Sequence, residues 1–121
     1  MAPAIGMVTT DCADPKALST FWAAALGTSV SGDYGEFVML APPPAGGPVL
    51  GFQRVPEERA GKNRLHLDLS PDDRDGEVER LVNMGARRVD IGQGDHSWVV
   101  LADPEGNEFC VLRSRPAVTS G

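Results

Sequence analysis

Residues 98–112, WVVLADPEGNEFCVL, predict a β-hairpin, and the rest of the chain can be understood from it. An apolar β-type run at each end flanks the turn sequence DPEGN at 103–107. Pro104 presets the backbone of the first turn position, and Gly106 can adopt a positive φ. The side chain of Asp103 can accept hydrogen bonds from nearby backbone amides, so the turn has a physical basis.

The first half of the chain holds a weaker copy of this hairpin. FVMLAP at 37–42 lines up with WVVLAD at 98–103, and each is followed by a loop and a short apolar strand, at 49–55 or 108–113. Upstream of each copy, the pattern predicts a strand followed by a helix. The sequence therefore predicts one βαβββ unit that occurs twice.

Composition and charge narrow the class of protein. A chain of 121 residues with 41% apolar and 23% charged residues is typical of one soluble globular domain. A net charge of −6 argues against nucleic acid as a partner, and no apolar stretch is long enough to span a membrane. Without an export signal, we expect a cytoplasmic protein in which Cys12 and Cys110 are free thiols.

The first module begins with a strand predicted over 5–12. Asp14 suits the N-cap of the helix that follows, Pro15 suits its first position, and Gly27 suits its end. The helix carries one apolar stripe, formed by Leu18, Phe21, Trp22, Ala25 and Leu26. Trp22 in this stripe is predicted to be a core residue. Strands at 36–40 and 49–55 are predicted on either side of a proline-rich surface loop at 42–48.

The second module is predicted to repeat that order. The alternation over 64–69 directs Leu65, Leu67 and Leu69 toward a helix that is capped at 71–73 and stopped by Gly85. A strand at 86–91 and a turn at 92–96, with an exposed His96, lead into the hairpin. The predicted boundaries are a single domain with module 1 at about 4–56, a linker at 57–63, module 2 at about 64–113 and a loose tail at 114–121.

Two βαβββ modules predict an α+β fold. Each helix should cover one side of a mixed four-stranded sheet, and the uncovered sheet faces, curved toward each other, should form a cleft.

With this organisation, the chain resembles the vicinal oxygen chelate superfamily (glyoxalase I, bleomycin-resistance proteins and extradiol dioxygenases), in particular its small glyoxalase-like domains. The resemblance extends from about residue 5 to residue 112. It rests on Asp14-Pro15, Phe21-Trp22, Leu26-Gly27, His66-Leu67-Asp68-Leu69, Gly85-Ala86, and Asp103-Pro104-Glu105-Gly106-Asn107 before Phe109.

The resemblance implies a cleft in which metal-dependent members bind a divalent cation through one side chain from the first and last strand of each module. The usual set is His or Gln, Glu, His and Glu. The corresponding residues here are Met7, Gln53, His66 and Cys110, of which only His66 matches clearly. A thioether suits such cations poorly and a thiol replaces the carboxylate, so we expect no metal cofactor.

Several roles remain open for the residues of this cleft. His66 is a metal ligand, a proton shuttle or a structural histidine, and Cys110 is a nucleophile activated by His66 or an apolar filler. Asp68 and Glu108 should share the cleft side of their strands with both, which also allows a shifted metal triad. Trp98, like Phe37 in the first module, either stacks on a flat ligand or packs where strands meet.

The resemblance and these residues together predict a homodimeric protein that binds a small organic molecule. Binding would be by sequestration or by modest acid–base chemistry through His66. The predicted ligand-binding residues are Met7, Gln53, His66, Asp68, Trp98, Glu108 and Cys110. The alternatives are a metal-dependent lyase, isomerase or dioxygenase with an atypical ligand set, and a non-catalytic dimeric scaffold.

Overall fold

A computed structural model describes residues 1–89 and 98–112. The chain divides between Gly61 and Lys62 into two compact units. In the described residues, each unit consists of a βαβββ sequence of elements, which confirms the predicted α+β fold with two modules. The turn predicted at 92–96 and the tail predicted at 114–121 lie outside the described residues.

The first module forms a mixed four-stranded sheet with one helix. In chain order its elements are β1 (Met7–Cys12), α1 (Pro15–Leu26), β2 (Val30–Asp33), β3 (Phe37–Leu40) and β4 (Val49–Arg54). The strand order is β1-β4-β3-β2, in which β1 runs parallel to β4 and the other neighbours are antiparallel.

Helix α1 begins and ends as its sequence predicts. The side chain of Asp14 accepts a hydrogen bond from the backbone N of Ala17 at 3.1 Å, and Pro15 occupies the first turn. Gly27 ends the helix in the left-handed conformation, with φ of 66°. Trp22 is buried, as predicted, because the apolar stripe of α1 packs on β3 and β4.

The second module repeats the topology of the first. Its elements are β5 (Asp68–Leu69), α2 (Arg74–Asn83), β6 (Arg87–Arg88), β7 (Trp98–Ala102) and β8 (Glu108–Leu112). The strand order β5-β8-β7-β6 matches β1-β4-β3-β2 position by position, again with the first and last strands of the module parallel.

The hairpin at 98–112 forms as predicted. Asp103 is 1% exposed, and its Oδ1 accepts hydrogen bonds from the backbone N of Glu105 and of Asn107, both at 3.0 Å. Gly106 has φ of 86°, which glycine adopts without strain. The side chain of Asp103 therefore satisfies two backbone N–H groups of the turn and ties β7 to β8.

Two predictions for the second module need correction. The strand predicted over 64–69 is limited to Asp68–Leu69, and Leu65, expected to meet α2, is 74% exposed. Alternation alone does not make a strand: β8 pairs only with the last two residues of the predicted segment. In addition, α2 begins after Asp73, but its N-cap side chain makes no capping hydrogen bond.

Each sheet has one face covered by its own helix and a second face, here called the far face. Helix α2 packs on β8, and Phe109, Val111 and Leu81 are buried between them. In the first module, Val38 and Phe52 are buried on the equivalent side.

Among the described residues, neither helix combines the length and apolar character needed to cross a membrane.

Candidate functional site

The far face of the second sheet carries most of the predicted site residues. Side chains alternate between the two faces of a strand, and Phe109 and Val111 are buried toward α2. Glu108 and Cys110 therefore lie on the far face, and Asp68 joins them because it is the register partner of Cys110.

His66 and Asp68 form a hydrogen-bonded pair on this face. His66 Nδ1 lies 3.2 Å from Asp68 Oδ1, and the two side chains are 51% and 47% exposed. When His66 is neutral, a proton on Nδ1 satisfies the acceptor-only carboxylate, and that assignment leaves Nε2 as the proton acceptor. In this tautomer the second nitrogen of a half-exposed imidazole ring is a hydrogen-bond acceptor.

Cys110 completes a compact cluster with this pair. Its backbone N donates to Leu67 O at 2.9 Å, which fixes β8 against the chain just before Asp68. The ligand atoms of His66, Asp68 and Cys110 all lie within 4.8 Å of one another. We call these three residues the 66/68/110 cluster.

The surroundings of Cys110 oppose its ionisation. Burial, first, and then the charge of Asp68 and a hydrogen bond to it raise the pKa of the Cys110 thiol, and Glu108 adds to the effect. A catalytic nucleophile requires the opposite shift, because the thiolate is the reactive form. The raised pKa of the thiol thus favours a neutral S–H group over the nucleophile considered from the sequence.

An apolar strip borders the cluster on the same face. Trp98 pairs with Leu112, and Val100 pairs with Cys110, so these side chains share the far face with the thiol. Trp98 is exposed, and the other two apolar residues are half-buried. Val100 and Leu112 were not among the predicted site residues, although the alternation of β7 and β8 places them there.

The matching positions of the first module hold different residues. Thr9 pairs with Gly51 as Asp68 pairs with Cys110, and Thr9 and Asp68 each lie six residues before the first residue of their helix. Met7 then corresponds to His66. A Cβ at Gly51 would lie 2.8 Å from Phe37 Cζ and 2.9 Å from Met7 Sδ.

In the first module, therefore, a phenyl ring and a thioether sit directly on the backbone of Gly51. The close approach of Phe37 and of Met7 to this glycine was not predicted. A glycine inside a strand is the sequence signal for such close approach, and it was available at position 51.

Gln53 takes a place different from the one expected by analogy. It was matched to Cys110, but the strand register matches Gly51 to Cys110 and places Gln53 beside Asp11, two residues further along. Its Nε2 donates to the backbone O atoms of Glu36 and Arg54, both at 3.1 Å. The amide thus stabilises the end of the sheet.

Comparison with known families and structures agrees with this architecture. The sequence profile of a family described as "Glyoxalase-like domain" matches residues 7–112. At the level of sequence, no curated protein matches this chain.

Three solved structures illustrate the shared fold. A glyoxalase/bleomycin resistance protein/dioxygenase family enzyme from Burkholderia phytofirmans PsJN has a TM-score of 0.74 and 20% identity, covering 90% of this chain and 97% of that one. The fosfomycin resistance protein FosX from Mesorhizobium loti has a TM-score of 0.69 and 12% sequence identity, and the match covers 94% of each chain. A bleomycin-binding protein from Streptomyces verticillus, complexed with copper(II)-bleomycin, has a TM-score of 0.65 and 17% sequence identity. The match covers 95% of this chain and 100% of that one.

Proposed function

Since the chain belongs to the glyoxalase-like domain family of the vicinal oxygen chelate superfamily, we propose that it binds a small organic molecule on the far face of its second sheet. His66 then either holds the ligand or exchanges a proton with it. The 3.2 Å contact between His66 Nδ1 and Asp68 Oδ1 is the observation that supports this role most directly. It orients the ring and leaves Nε2 toward the ligand.

The class of ligand is suggested by the mixture of surfaces on this face. Trp98, Val100 and Leu112 offer apolar contact beside the polar cluster. Small-molecule sites combine apolar walls with a few polar groups that fix orientation. We therefore propose a ligand with an apolar body and one polar group that can hydrogen-bond or lose a proton. Bleomycin and fosfomycin, named for two structural neighbours, fall within the broad class of small organic molecules.

The proposal does not use the four-ligand divalent cation of metal-dependent relatives, because the first module lacks suitable donors. Met7 Sδ packs near Gly51, and the amide of Gln53 bonds to backbone carbonyls. Neither residue is an anionic ligand of the kind that hard divalent cations prefer. The chemistry proposed for this chain is accordingly carried by its own side chains.

The test is a thermal-shift screen of small metabolites and antibiotics, on protein purified without a histidine tag. Saturation at a hundredfold excess over Kd should stabilise the protein by about 2.7 kcal/mol. Loss of a hydrogen bond to a charged group is worth about 1.5–3 kcal/mol, so His66→Ala should weaken binding roughly tenfold or more. Asp11→Asn, an exposed carboxylate on β1, is the matched control and should leave binding unchanged.

Turnover distinguishes the two forms of the proposal. If a hit is converted to product and His66→Ala abolishes conversion while the melting curve is retained, the protein is an acid–base catalyst. If hits bind without product, sequestration is supported. Binding that is unaffected by His66→Ala would contradict the proposal.

Two alternatives make different predictions in the same experiments. A metal-dependent lyase, isomerase or dioxygenase is favoured by the compact 66/68/110 cluster, and it predicts turnover that chelators abolish. A dimeric scaffold predicts no ligand and a tight dimer by light scattering. Our proposal also includes a homodimer in the cytoplasm, where the thiols of Cys12 and Cys110 would remain reduced.

A further inference from the structure

We infer that the ligand of the far face is an organic anion, and that Arg87 holds its carboxylate or phosphate-type oxyanion at the β6 edge of the second sheet. This inference rests on the proposed function and deepens it. It adds to the ligand a charged group that is separate from the polar group beside His66, and it assigns that group to a residue outside the predicted site.

The strand register places Arg87 on the far face. Arg87 pairs with Ala102 of β7, and Ala102 in turn pairs with Glu108 of β8. Directly paired residues project from the same face of a sheet, and Glu108 shares the far face with Cys110. The side chain of Arg87 therefore projects from the face that carries the 66/68/110 cluster.

The next residue, Arg88, belongs to the opposite face. It pairs with Leu101, which is fully buried on the side of the sheet that α2 covers. Both arginines are exposed because β6 is an edge strand. The chain thus offers two adjacent guanidinium groups of equal charge on different faces, which form a matched pair for experiment.

The guanidinium of Arg87 is available to a ligand. None of the ion pairs found among residues 1–89 and 98–112 includes it. Its planar fork of N–H donors matches the paired oxygens of a carboxylate or a phosphate group. An exposed ion pair contributes little by itself, so binding requires that the body of the same ligand also contacts the apolar strip.

The spacing of the strands defines the size of that ligand. β5 and β6 are the edges of the sheet, with β8 and β7 between them. Neighbouring strands lie about 4.7–4.9 Å apart, so the two edges are roughly 14 Å apart. Val100 adjoins Ala102 along β7 and pairs with Cys110, so it lies between Arg87 and the cluster. We therefore expect an apolar body with an oxyanion at one end and a proton-exchanging group at the other.

Charges on the far face favour Arg87 over Lys62 as the oxyanion site. Lys62 acts on the pKa of the Cys110 thiol, where burial and then Asp68 have opposite effects, and Glu108 acts there too. An anion beside Lys62 would therefore meet two carboxylates. Arg87 is separated from Glu108 by β7 and from Asp68 by β7 and β8.

The first module lacks this charge. Val30 pairs with Leu40 as Arg88 pairs with Leu101, so Ser29 is the counterpart of Arg87. A hydroxyl and an isopropyl group thus stand where the second module has two guanidinium groups. Because the chain has a net charge of −6, an anion is repelled where no local cation offsets the acidic excess. The oxyanion site is a property of the second module.

Matched ligands and matched variants test the inference. The probes are arylalkanoic acids of graded chain length, each beside its neutral primary amide, titrated into the untagged full chain by calorimetry. The amides should bind about 10-fold more weakly than the acids. Arg87→Gln should weaken binding of the acids by about the same factor and leave the amides unchanged. Arg88→Gln, the matched control, should bind both as the wild type does.

Two further measurements identify the interaction as electrostatic. Added salt should weaken binding of the acids and not of the amides, because the guanidinium is exposed to solvent. Glu108→Gln should strengthen binding of the acids, because it removes a like charge from the same face. Far-ultraviolet circular dichroism verifies that each variant is folded.

The outcomes separate this inference from the proposed function. If all ligands found in the thermal-shift screen are neutral or cationic, the inference is overturned and the proposed function stands. Acid binding that Arg87→Gln leaves unchanged, or that both arginine variants weaken equally, would also overturn it, since the second result reflects net charge alone. The absence of any ligand, charged or neutral, would contradict the proposed function and the inference together.

Discussion

The two modules share a strand order and differ in the chemistry of their far faces. In the first, Phe37 and Met7 pack on the bare backbone of Gly51. In the second, the corresponding positions carry His66, Asp68 and Cys110, whose ligand atoms lie within 4.8 Å of one another. The side that faces the helix is apolar in both. The topology therefore depends on the covered face, and the far face is free to vary toward packing or toward a polar site.

The largest expected effect comes from truncating a buried phenylalanine in each module. It tests whether the covered faces of the two sheets contribute equally to the free energy of unfolding. Phe52 on β4 and Phe109 on β8 are both fully buried, so Phe52→Ala and Phe109→Ala should each lower the free energy of unfolding by about 3–5 kcal/mol. Urea unfolding, followed by the fluorescence of Trp22 in one module and Trp98 in the other, measures each loss. A loss below about 1 kcal/mol in one variant but not in the other would show that the covered faces are not equivalent.

A second prediction tests the packing at Gly51. Gly51→Ala introduces a Cβ that must displace Phe37 and Met7, at a cost of about 1–3 kcal/mol, as for overpacked cores. Met7→Ala in the same chain should recover part of that loss, because it vacates the space beside the new methyl group. Thermal unfolding of the two single variants and the double variant measures the coupling. Additive effects would contradict the contact.

A third prediction compares the starts of the two helices. Asp14 caps α1 through its side chain, while the side chain of Asp73 makes no capping hydrogen bond to α2. Asp14→Ala should therefore cost about 1 kcal/mol, and Asp73→Ala should cost only a few tenths. Thermal melts of the two variants, with Asp14→Asn as the conservative control, provide the comparison. Equal losses would contradict the difference between the caps.

The smallest expected effect concerns pH and the polar far face. Burial and the nearby Asp68 carboxylate raise the pKa of the Cys110 thiol in the folded protein above its unfolded value. The folded state then binds the proton more tightly, so this contribution to stability is complete below the unfolded pKa, roughly 8.5, and is lost as pH rises through the folded pKa.

Melting temperatures from about pH 7 to about pH 10 should therefore fall more steeply for the wild type than for Cys110→Ser. Alkylation of Cys110 at neutral pH should also be slow, since little thiolate is present. Parallel pH profiles for the two proteins would contradict the raised pKa.

Most of the fold could be predicted from local patterns. The cap at Asp14, the stop at Gly27 and the turn around Asp103 involve neighbouring residues, so short stretches of sequence indicate them. The strand over 64–69 was overextended, because a strand requires a partner, and β8 pairs with Asp68–Leu69 alone. Alternation of apolar residues carries no information about where that partner ends.

The candidate site was less predictable than the fold. Strand alternation was enough to place Asp68 and Glu108 on the same side as His66 and Cys110. In the structure, Asp68 Oδ1 lies 3.2 Å from His66 Nδ1. The match of Gln53 to Cys110 depended on register between distant strands, which a single sequence does not contain. The register instead matches Gly51 to Cys110.

The sequence by itself determined the repeated βαβββ order, both ends of α1 and the hairpin, because these depend on periodicity and on residues close together in the chain. Only the tertiary structure decided which donors meet. Residues 68 and 110 become register partners because β5 pairs with β8. Gly51 lies next to Met7 and Phe37 because β4 pairs with β1 and with β3. Residues 68 and 110, like residues 7 and 51, lie more than forty positions apart in the chain, and backbone pairing across each sheet brings them together.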